Sequence, residues 1–593
     1  MRKLRCVNLM IVLVLLLVLV PGVVSAAPPA QEGQSYTVQK DDSLWAIAEK
    51  YLGNGTAYLA VVAATNAQHE EDATFARIDN PSLIQPGWKL FIPGAEEAEK
   101  YVALARPVQG GTLIIGMGTD IAKWDIQNCS GMQNLGVQRL VTELLTDHHW
   151  ETGQLLPWLV ESWEASPDAT TWTLHLKQGV KFHDGTPFNA AAVKYNLERL
   201  LEIGLARGTF DMIESIEVAD EYTAVIHTTS FAPFMHLLTY APSGMISPTQ
   251  ADKLGWDNYF QEPMGTGPYK FVEHIRGDHS LLVANEDYWR GRPYIDEIIA
   301  IPIPETGARI AALEAGDIHV ALSVPPVEVP RLEANPDIEI LRARPARTMY
   351  VGINNQWGPF KDKRVRQALN YAVDKDAINE SIFLGEALVS TAPFTPLAFG
   401  YFPQEPYEYN PEKAKELLAE AGYPDGFEVT LTYGPGRFLM DTQVVEAVAS
   451  YLRDIGLDVT IEPLEWAAFG QERKKSVEEN RLQLYFIGWG CVTLDADHCL
   501  KVFRPDQWPP TSDSPLFYSN DRVMELFLAA RNTADDAKRL EAYKEVVGMV
   551  WDDAPVIWLY VQPNTHAKRK EVQEVYIRSD ETIWLRDAWI KGD

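Results

Sequence analysis

The sequence has little of what several protein classes require. Four cysteines in 593 residues are too few for a disulfide-dense scaffold or a set of structural zinc sites. Lys and Arg form no cluster and the formal net charge is −30, which disfavours a nucleic-acid partner. With 46% hydrophobic and 23% charged residues, what remains is a large, acidic, globular chain of about two to four domains.

Common catalytic and nucleotide-binding motifs are also missing. The sequence contains no GxxxxGK[ST] loop, HExxH helix, GxSxG elbow or CxxC pair. His148-His149 and His183-Asp184 come nearest to metal ligands, but such isolated pairs are more typical of turns and surfaces. The 82 acidic residues give no means of choosing the two carboxylates of a glycosidase. These absences leave an enzyme unsupported rather than excluded, and we expect neither a metal nor a cofactor.

A long apolar run occurs only at the amino terminus. Basic residues precede the run from Leu9 to Val20, which is too short to span a bilayer of about 30 Å, and small residues follow up to Ala26. This pattern predicts a signal peptide over residues 1–26; the alternative is a short anchored helix. Because Cys6 precedes the run, we expect an exported protein without a lipid anchor, in a periplasm, in the cell wall or at the extracellular surface.

Three cysteines remain after the predicted cleavage. A Cys491–Cys499 disulfide would close a short loop, but Cys129 is an equally possible partner for either, and geometry decides which pair forms.

A small module is predicted between residues 36 and 93. A strand at 36–38, a helix from Leu44 to Gly53, a second helix at 58–64 and a strand at 89–92 follow one another. The segments YTVQKDDSLWAIAEKYLG, ATN and NPSLIQPGWKLFIP resemble a LysM domain, although Asp41 stands where that family usually has glycine. The resemblance implies binding to peptidoglycan-type glycans, the alternative being a LysM fold that no longer binds them. The implied contacts are Asp42, Ser43, Leu44, Ile84, Gln85, Pro86 and Gly87.

After a linker over residues 94–109, strands and helices alternate through residues 110–593. Residues 428–433 alternate as a strand, 444–455 carry an apolar helix face, and 457–461 form a strand again. Two strands joined by a helix predict a parallel, right-handed βαβ unit. The body is therefore α/β, with more than one lobe at this length.

Tryptophan is abundant, with 17 copies, and several lie beside Gly, Asn or Asp rather than in periodic apolar runs. Aromatic faces in loops suit stacking on sugar rings or packing against peptide side chains. The alternative for each is that it fills core or hinge space. The tryptophans in such contexts are Trp124, Trp357, Trp466, Trp489 and Trp508.

Long segments of the body follow a characteristic order. They include LVESWEASPDATTWTLHLKQGVKFHDGTPFNAAAVKYNLERL (159–200), MGTGPYKFVEHIRGDHSLLVANEDYWRGRPYIDEI (264–298), FKDKRVRQALNYAVDKDAI (360–378) and YNPEKAKELLAEAGYPDGF (409–427). Together they resemble the family 5 (peptide/nickel-type) extracellular solute-binding proteins of ABC importers.

The resemblance implies a two-lobed, class II periplasmic-binding-protein-like body with an extra subdomain, preceded by the small βααβ LysM module. Lobe I would span about 110–354, with an inserted subdomain at about 150–260, plus about 560–593; lobe II would span about 355–559. A solute enclosed between the lobes would be delivered to a membrane permease with ATPase subunits.

Peptide-binding members of that family carry an aspartate that pairs with the peptide's amino group. Aligned on Trp489 and on the Asp-x-Asp of 495 and 497, this position falls on Val492. An unpaired buried ammonium is costly, so dipeptides with free amino termini are not the expected ligand unless Asp495 takes over the role. The candidate ligand is an oligosaccharide or a peptide, bound by Trp489, Gly490, Val492, Asp495 and the other loop tryptophans.

Two other functions are compatible with the sequence. LysM modules often accompany peptidoglycan hydrolases, which would require a catalytic pair or a Cys/His site. A receptor that captures solute for a membrane sensor would have the same sequence features as a transport component.

Overall fold

The computed structural model describes residues 33–591 apart from short gaps. The chain folds into two compact units, Met1–Arg106 and Pro107–Asp593. The predicted signal peptide and most of the predicted linker lie outside the described residues. The gaps are residues 40–41, 43, 53–56, 79–83, 85–86, 95–96, 99–106, 130, 151–152, 205–206, 230–232, 344–345 and 579.

The amino-terminal unit has the predicted βααβ order. Strands Gln34–Thr37 and Lys89–Ile92 pair antiparallel, and helices Leu44–Leu52 and Tyr58–Glu71 lie between them in the chain. Strands and helices meet in a small core that includes Ile47, Val61 and Leu90. The second helix is one turn or more longer than predicted.

The first lobe of the second unit contains a mixed sheet of seven described strands. The central pairs are parallel and the outer pairs antiparallel, and the strands at its middle are apolar and buried on one or both faces. In spatial order the strands are Tyr269–Ile275, His279–Ala284, Glu297–Pro302, Thr112–Met117, Val320–Ala321, Thr565–Arg569 and Ile338–Arg342.

A subdomain is inserted into this lobe, built on an antiparallel sheet of four described strands. Its own core is rich in buried aromatic and aliphatic side chains, among them Trp172, Phe188 and Leu197. In order the strands are Val160–Ala165, Thr171–Leu176, Thr223–Thr228 and Ile213–Asp220, and helix Ala190–Ile203 packs on them. The predicted cap forms, since Asn189 accepts a hydrogen bond from the backbone N–H of Ala192.

The second lobe contains a sheet of six described strands. The predicted βαβ unit is present: Glu428–Tyr433 and Asp458–Pro463 pair in parallel, joined by helix Asp441–Asp454. In order the strands are Leu388–Val389, Val556–Val561, Arg347–Ile353, Leu484–Gly490, Glu428–Tyr433 and Asp458–Pro463. Strand Arg347–Ile353 lies in this sheet, so the lobe begins before the predicted border at residue 354.

The chain crosses between the two lobes at two adjacent places. Strand Ile338–Arg342 of the first sheet leads into Arg347–Ile353 of the second, and Val556–Val561 leads back into Thr565–Arg569. Two short crossings side by side are the arrangement expected of a hinge.

Helices cover both large sheets. The longer ones carry side-chain N-caps at Asn410, Asn520 and Asp535, as their sequences indicate. Within the described residues, none of the helices combines the length and the apolar character that crossing a bilayer requires.

Helices of the second unit with at least seven residues are Met132–Gln138, Ala190–Ile203, Pro248–Leu254, Thr306–Ala315, Lys363–Ala372, Lys375–Ile382, Pro411–Glu420, Asp441–Asp454, Trp466–Arg473, Asp521–Arg531 and Asp536–Asp553. The shorter α-helices are Phe234–Leu237, Trp256–Tyr259, Val329–Glu333 and Ala496–Cys499. Three two-stranded ribbons pair Thr146–His148 with Leu155–Pro157, Val572–Gln573 with Trp589–Ile590, and Tyr576–Ile577 with Ile583–Trp584.

Candidate functional site: a cleft between the lobes

Three parallel strands of the second lobe end at one edge of its sheet, next to the lobe crossings. Arg437 follows the strand Glu428–Tyr433, Trp466 follows Asp458–Pro463, and Gly490 ends Leu484–Gly490. Arg347, at the start of the antiparallel neighbour, pairs in register with Gly490. In open α/β sheets the carboxyl ends of the strands form the ligand-binding edge, so this is the candidate solute cleft.

The cleft contains two arginines and one carboxylate from the opposite lobe. Arg347 Nε lies 3.2 Å from Glu581 Oε1, which bridges the two lobes. A Cβ added at Gly490 would lie 3.4 Å from Arg347 Nη2, so glycine leaves room for this guanidinium. Within the described residues Arg437 makes no ion pair within 4 Å.

Aromatic rings surround the Arg437 guanidinium. Its Cζ lies 5.2 Å from the ring centre of Phe438 and 5.3 Å from that of Trp466. The residue is solvent-exposed, yet desolvation and the nearby Arg347 lower its pKa, as expected for a side chain set in a cleft. Tyr240 of the first lobe lies near Arg347: burial raises the pKa of its hydroxyl and Arg347 opposes the rise. The site is therefore positively charged and lined by aromatic rings.

The loop that leaves Gly490 is closed by a disulfide. Cys491 and Cys499 are bonded, which selects one of the pairings that the sequence left open, and Cys129 is buried in the first lobe outside this bond. Inside the loop, the Trp489 Nε1–H donates to the His498 carbonyl at 3.3 Å and the two rings stack. Trp489 is thereby held at the edge of the cleft.

Asp495 does not take the amino-anchoring role. Its side chain is fully buried, and Oδ2 lies 2.7 Å from Arg539 Nη2. Its Oδ1 accepts the backbone N–H of Asp497 and so caps the short helix Ala496–Cys499. The carboxylate is therefore engaged within the protein.

The subdomain of the first lobe touches this loop. His236 is hydrogen-bonded to the backbone of Thr493, and its Nδ1 lies 3.4 Å from His148 Nε2. Burial is the main cause that lowers the pKa of both imidazoles, so they stay neutral at neutral pH. A Cβ at Gly153 would meet Leu494 at 2.9 Å. These contacts bring the two lobes together over the loop.

Three of the five loop tryptophans pack against other protein groups, and their part in ligand binding stays a prediction. Trp124 is 3% exposed and packs edge-on against Phe271 at 4.8 Å in the core of the first lobe. Trp357 packs against Phe360 and Phe427, and the Trp508 Nε1–H donates to the Tyr518 carbonyl. The sequence around these tryptophans is typical of loops, and it does not show that the loops pack onto apolar surface.

Sequence reasoning missed the charged residues of the cleft. The charged ones are Arg347, Arg437 and Glu581, and the neutral Tyr240 lies beside them. Only Arg437 had a usable signal: it follows a predicted strand through the turn Gly434-Pro435-Gly436. A residue just beyond the carboxyl end of a parallel strand is a candidate on that ground alone.

The predicted glycan contacts of the small unit have mixed positions. The Asp42 carboxylate accepts from the Tyr36 hydroxyl at 2.6 Å and from the Gln39 N–H at 2.7 Å, so it shapes the turn. Leu44 is 3% exposed and its side chain belongs to the core, so its contact with glycan stays a prediction for its backbone alone. Ile84 is half-buried against that core, and Gly87 turns the chain with φ +92°. Ser43, Gln85 and Pro86 lie outside the described residues.

Comparison with known proteins decides the family. The model for "bacterial extracellular solute-binding proteins, family 5 Middle" matches residues 154–508, and the LysM domain model matches residues 36–62. The chain belongs to the family 5 extracellular solute-binding proteins. It is therefore a solute-binding component of an ABC importer and not an enzyme, which argues against the hydrolase alternative.

Relatives of this solute-binding protein include the glutathione-binding protein GsiB of Pectobacterium atrosepticum, 34% identical over 443 residues, or 73% of this chain and 86% of that protein. GsiB of Salmonella typhi is 32% identical over 440 residues, again 73% and 86%. Among solved structures, DppA from Helicobacter pylori in complex with the peptide STSA is 26% identical, with a TM-score of 0.68 over 81% of this chain and 99% of that one. The two-lobed fold predicted from the sequence is confirmed.

Proposed function

We propose that the protein captures a short peptide-like solute bearing a carboxylate and delivers it to a membrane permease. The supporting observation is Arg437: its guanidinium is exposed in the interlobe cleft, between Phe438 and Trp466, with no carboxylate partner among the described residues. Arginine offers two parallel N–H groups that suit a carboxylate. A bound carboxylate would offset the excess positive charge of Arg347 and Arg437 over Glu581.

The other end of the solute is proposed to lack a free amino group near Val492. Asp495 is paired with Arg539, and a valine cannot neutralise a buried ammonium. Peptide chemistry is favoured over oligosaccharide, because Trp124 fills core space and Trp357 and Trp508 are half-buried against other protein groups. The glutathione-binding relatives are consistent with a short peptide-like solute that carries a carboxylate.

Calorimetric titration tests this assignment. Glutathione and N-acetylated peptides ending in Glu should bind, and Arg437→Gln should weaken both by about 10- to 100-fold, the loss expected for a charged hydrogen bond. Arg522→Gln is the matched control, since Arg522 is an exposed arginine on helix Asp521–Arg531. Unchanged affinity in Arg437→Gln, or tight binding of free-amine dipeptides that acetylation abolishes, would refute the proposal.

The LysM unit is proposed to hold the protein to peptidoglycan. The support is the family match at residues 36–62 together with the βααβ fold and the turn at Gly87. Tethering would keep an exported binding protein near its permease without a lipid anchor.

A further inference from the structure

A carboxylate of the first lobe already binds one of the arginines at the cleft around Arg437 (the Arg437 cleft). Glu581 lies between the paired strands Tyr576–Ile577 and Ile583–Trp584 of the first lobe, and Arg347 begins a strand of the second. Arg347 Nε lies 3.2 Å from Glu581 Oε1, and its Nη2 lies 3.3 Å from Oε2. Two parallel contacts of this kind are also how a guanidinium binds the carboxylate of a ligand. Glu581 therefore takes the position on Arg347 that a solute carboxylate would need.

The turn that carries Glu581 is held firmly by the first lobe. Its backbone has φ +68°, a conformation that a residue other than glycine adopts only when its surroundings impose it. The Glu581 N–H donates to the Arg578 carbonyl at 3.0 Å. The neighbouring Asp580 is buried, accepts the Thr582 N–H at 3.0 Å and lies 3.0 Å from Arg139 Nη1. The Glu581 carboxylate is thus presented to the second lobe from a turn that a buried ion pair fixes.

Arg347 is held equally well on its side of the cleft. A Cβ at Gly488 would lie 3.1 Å from Arg347 Cδ, and one at Gly490 would lie 3.4 Å from its Nη2, so the side chain lies along two glycines of the neighbouring strand. Arg347 and Glu581 are 14% and 16% exposed, so water and salt screen this pair less than they screen a surface pair. The contact between the lobes is therefore a defined part of the site.

Arg437 differs from its two neighbouring arginines in having no counter-charge. In the part of the chain that the structure describes it makes no ion pair within 4 Å, whereas Arg473 lies 3.0 Å from Asp513 Oδ2. The Cζ atoms of Arg347 and Arg437 lie 6.0 Å and 5.2 Å from the ring centre of Phe438, so both guanidiniums border the same ring. A solute with two carboxylates would meet both arginines there, but Arg347 already has a carboxylate.

We propose, on the basis of the proposed function, that Glu581 determines how many carboxylates of a solute the site recognises. It withholds Arg347, so that one solute carboxylate binds, on Arg437, and a second gains no partner. A second carboxylate would have to displace Glu581 and leave it largely buried beside a group of its own charge, which offsets what the new contact contributes.

Two probes that differ by one charge test the inference on the full chain: acetyl-Ala-Glu and acetyl-Ala-Gln. Both carry the terminal carboxylate, and only the first carries a second one. In calorimetric titration the wild type should bind acetyl-Ala-Glu no more than about 3-fold more tightly than acetyl-Ala-Gln. Glu581→Gln frees Arg347 and should raise this preference to about 10-fold or more, the gain expected of a charged hydrogen bond. Adding Arg347→Gln to that variant should abolish the preference again.

Glu386→Gln is the matched control. Glu386 of the second lobe also binds an arginine of the opposite lobe through two contacts, 2.8 Å and 2.7 Å to Arg342, and its side chain is likewise 16% exposed. Arg342 keeps a second carboxylate, Glu333 at 2.8 Å, so the substitution leaves it with a counter-charge. If Glu581 only bridged the lobes, its loss would change the affinity for both peptides alike, as in Glu386→Gln, and the preference would stay the same.

The ratio of the two affinities within each variant corrects for any loss of folded protein. A wild type that already prefers acetyl-Ala-Glu by more than about 3-fold, or a ratio that Glu581→Gln leaves unchanged, would overturn the role of Glu581 while leaving the Arg437 assignment intact. Arg437→Gln tests that assignment separately, since it should weaken both peptides equally. If it does not, or if neither peptide binds the wild type, the carboxylate assignment fails and the role of Glu581 fails with it.

Discussion

Asp495 and Arg539 form a buried ion pair, with Asp495 Oδ2 2.7 Å from Arg539 Nη2 and exposed fractions of 0% and 3%. The pair joins the loop at the solute cleft to helix Asp536–Asp553, and Arg539 also lies over the ring of Phe399 at 4.6 Å. An acidic residue that resembles a ligand anchor in sequence is thus a tie between the loop and the helix.

Breaking this pair should be strongly destabilising. Asp495→Asn removes the buried counter-charge of Arg539 and leaves only the exposed carboxylate of Asp536, 3.2 Å from Arg539 Nη1, so we expect the free energy of unfolding to fall by about 3 kcal/mol. Replacing both partners, as in Asp495→Leu with Arg539→Met, should recover part of the loss because no charge stays buried. Urea unfolding followed by tryptophan fluorescence measures both. The control is Lys538→Ala on the same helix, a 73% exposed side chain that should change little; a loss below about 1 kcal/mol in Asp495→Asn would contradict the assigned role.

Stability should fall as the pH drops from about 6.5 to 4 because of His566. Burial lowers its pKa to about 4, and its Nδ1 accepts the Ser323 N–H at 3.0 Å. Between these pH values His566 is protonated in the unfolded state but not in the folded state. Each pH unit therefore lowers the free energy of unfolding by about 1.4 kcal/mol for this residue. Above pH 6.5 neither state is protonated and stability is fully present.

Urea unfolding at pH 7 and pH 5 checks this dependence. His566→Asn keeps an acceptor for Ser323 and should remove about 2 kcal/mol of the acid-induced loss. His279 is the contrasting control: hydrogen bonding to Asp278 raises its pKa, so replacing it should not reduce the loss at acid pH. An identical pH dependence in wild type and His566→Asn would show that this imidazole is already charged in the folded state.

The elements of the second lobe could be predicted because each sequence signal is local. The strand Glu428–Tyr433 alternates with period two, and helix Pro411–Glu420 has its Asn410 cap and first-turn proline. Such signals depend only on residues that are close in the chain, so they can be recognised without knowing the fold.

The site could be predicted only in part because it is assembled from distant segments. Trp466, Trp489 and Gly490 follow or end strands at the candidate cleft, but Arg347 and Glu581 meet across 234 residues of sequence. Which loop tryptophans are buried also depends on distant packing: Trp124 is covered by Phe271, from another strand. No local pattern carries that information.

Removing the loop disulfide should lower both stability and affinity. Cys491 and Cys499 are separated by 8 residues, and opening such a loop in the unfolded chain is expected to cost about 2–3 kcal/mol. Without the disulfide the loop would no longer hold Trp489 against His498 at the edge of the cleft, so solute binding should weaken as well. Chemical unfolding of the Cys491→Ser, Cys499→Ser variant with and without reductant checks this. Reductant should bring the wild type down to the variant and leave the variant unchanged; a wild type insensitive to reductant would show that the bond contributes nothing.

Wall binding and solute binding should separate at the two units of the chain. Deleting residues 27–100 should leave affinity for glutathione unchanged, because the Arg437 cleft is built within Pro107–Asp593, but the protein should no longer sediment with purified peptidoglycan.

A point variant sharpens the test. Gly87 has φ +92° and donates its N–H to the Val38 carbonyl, so Gly87→Val should strain this turn by about 1–2 kcal/mol. Gly179→Val imposes similar strain at φ +78° in the body and should leave sedimentation intact. Only Gly87 lies in the LysM turn, so equal sedimentation of the two point variants would show that this turn does not contact the wall. If the deleted form still sedimented with peptidoglycan, another part of the chain would have to bind the wall.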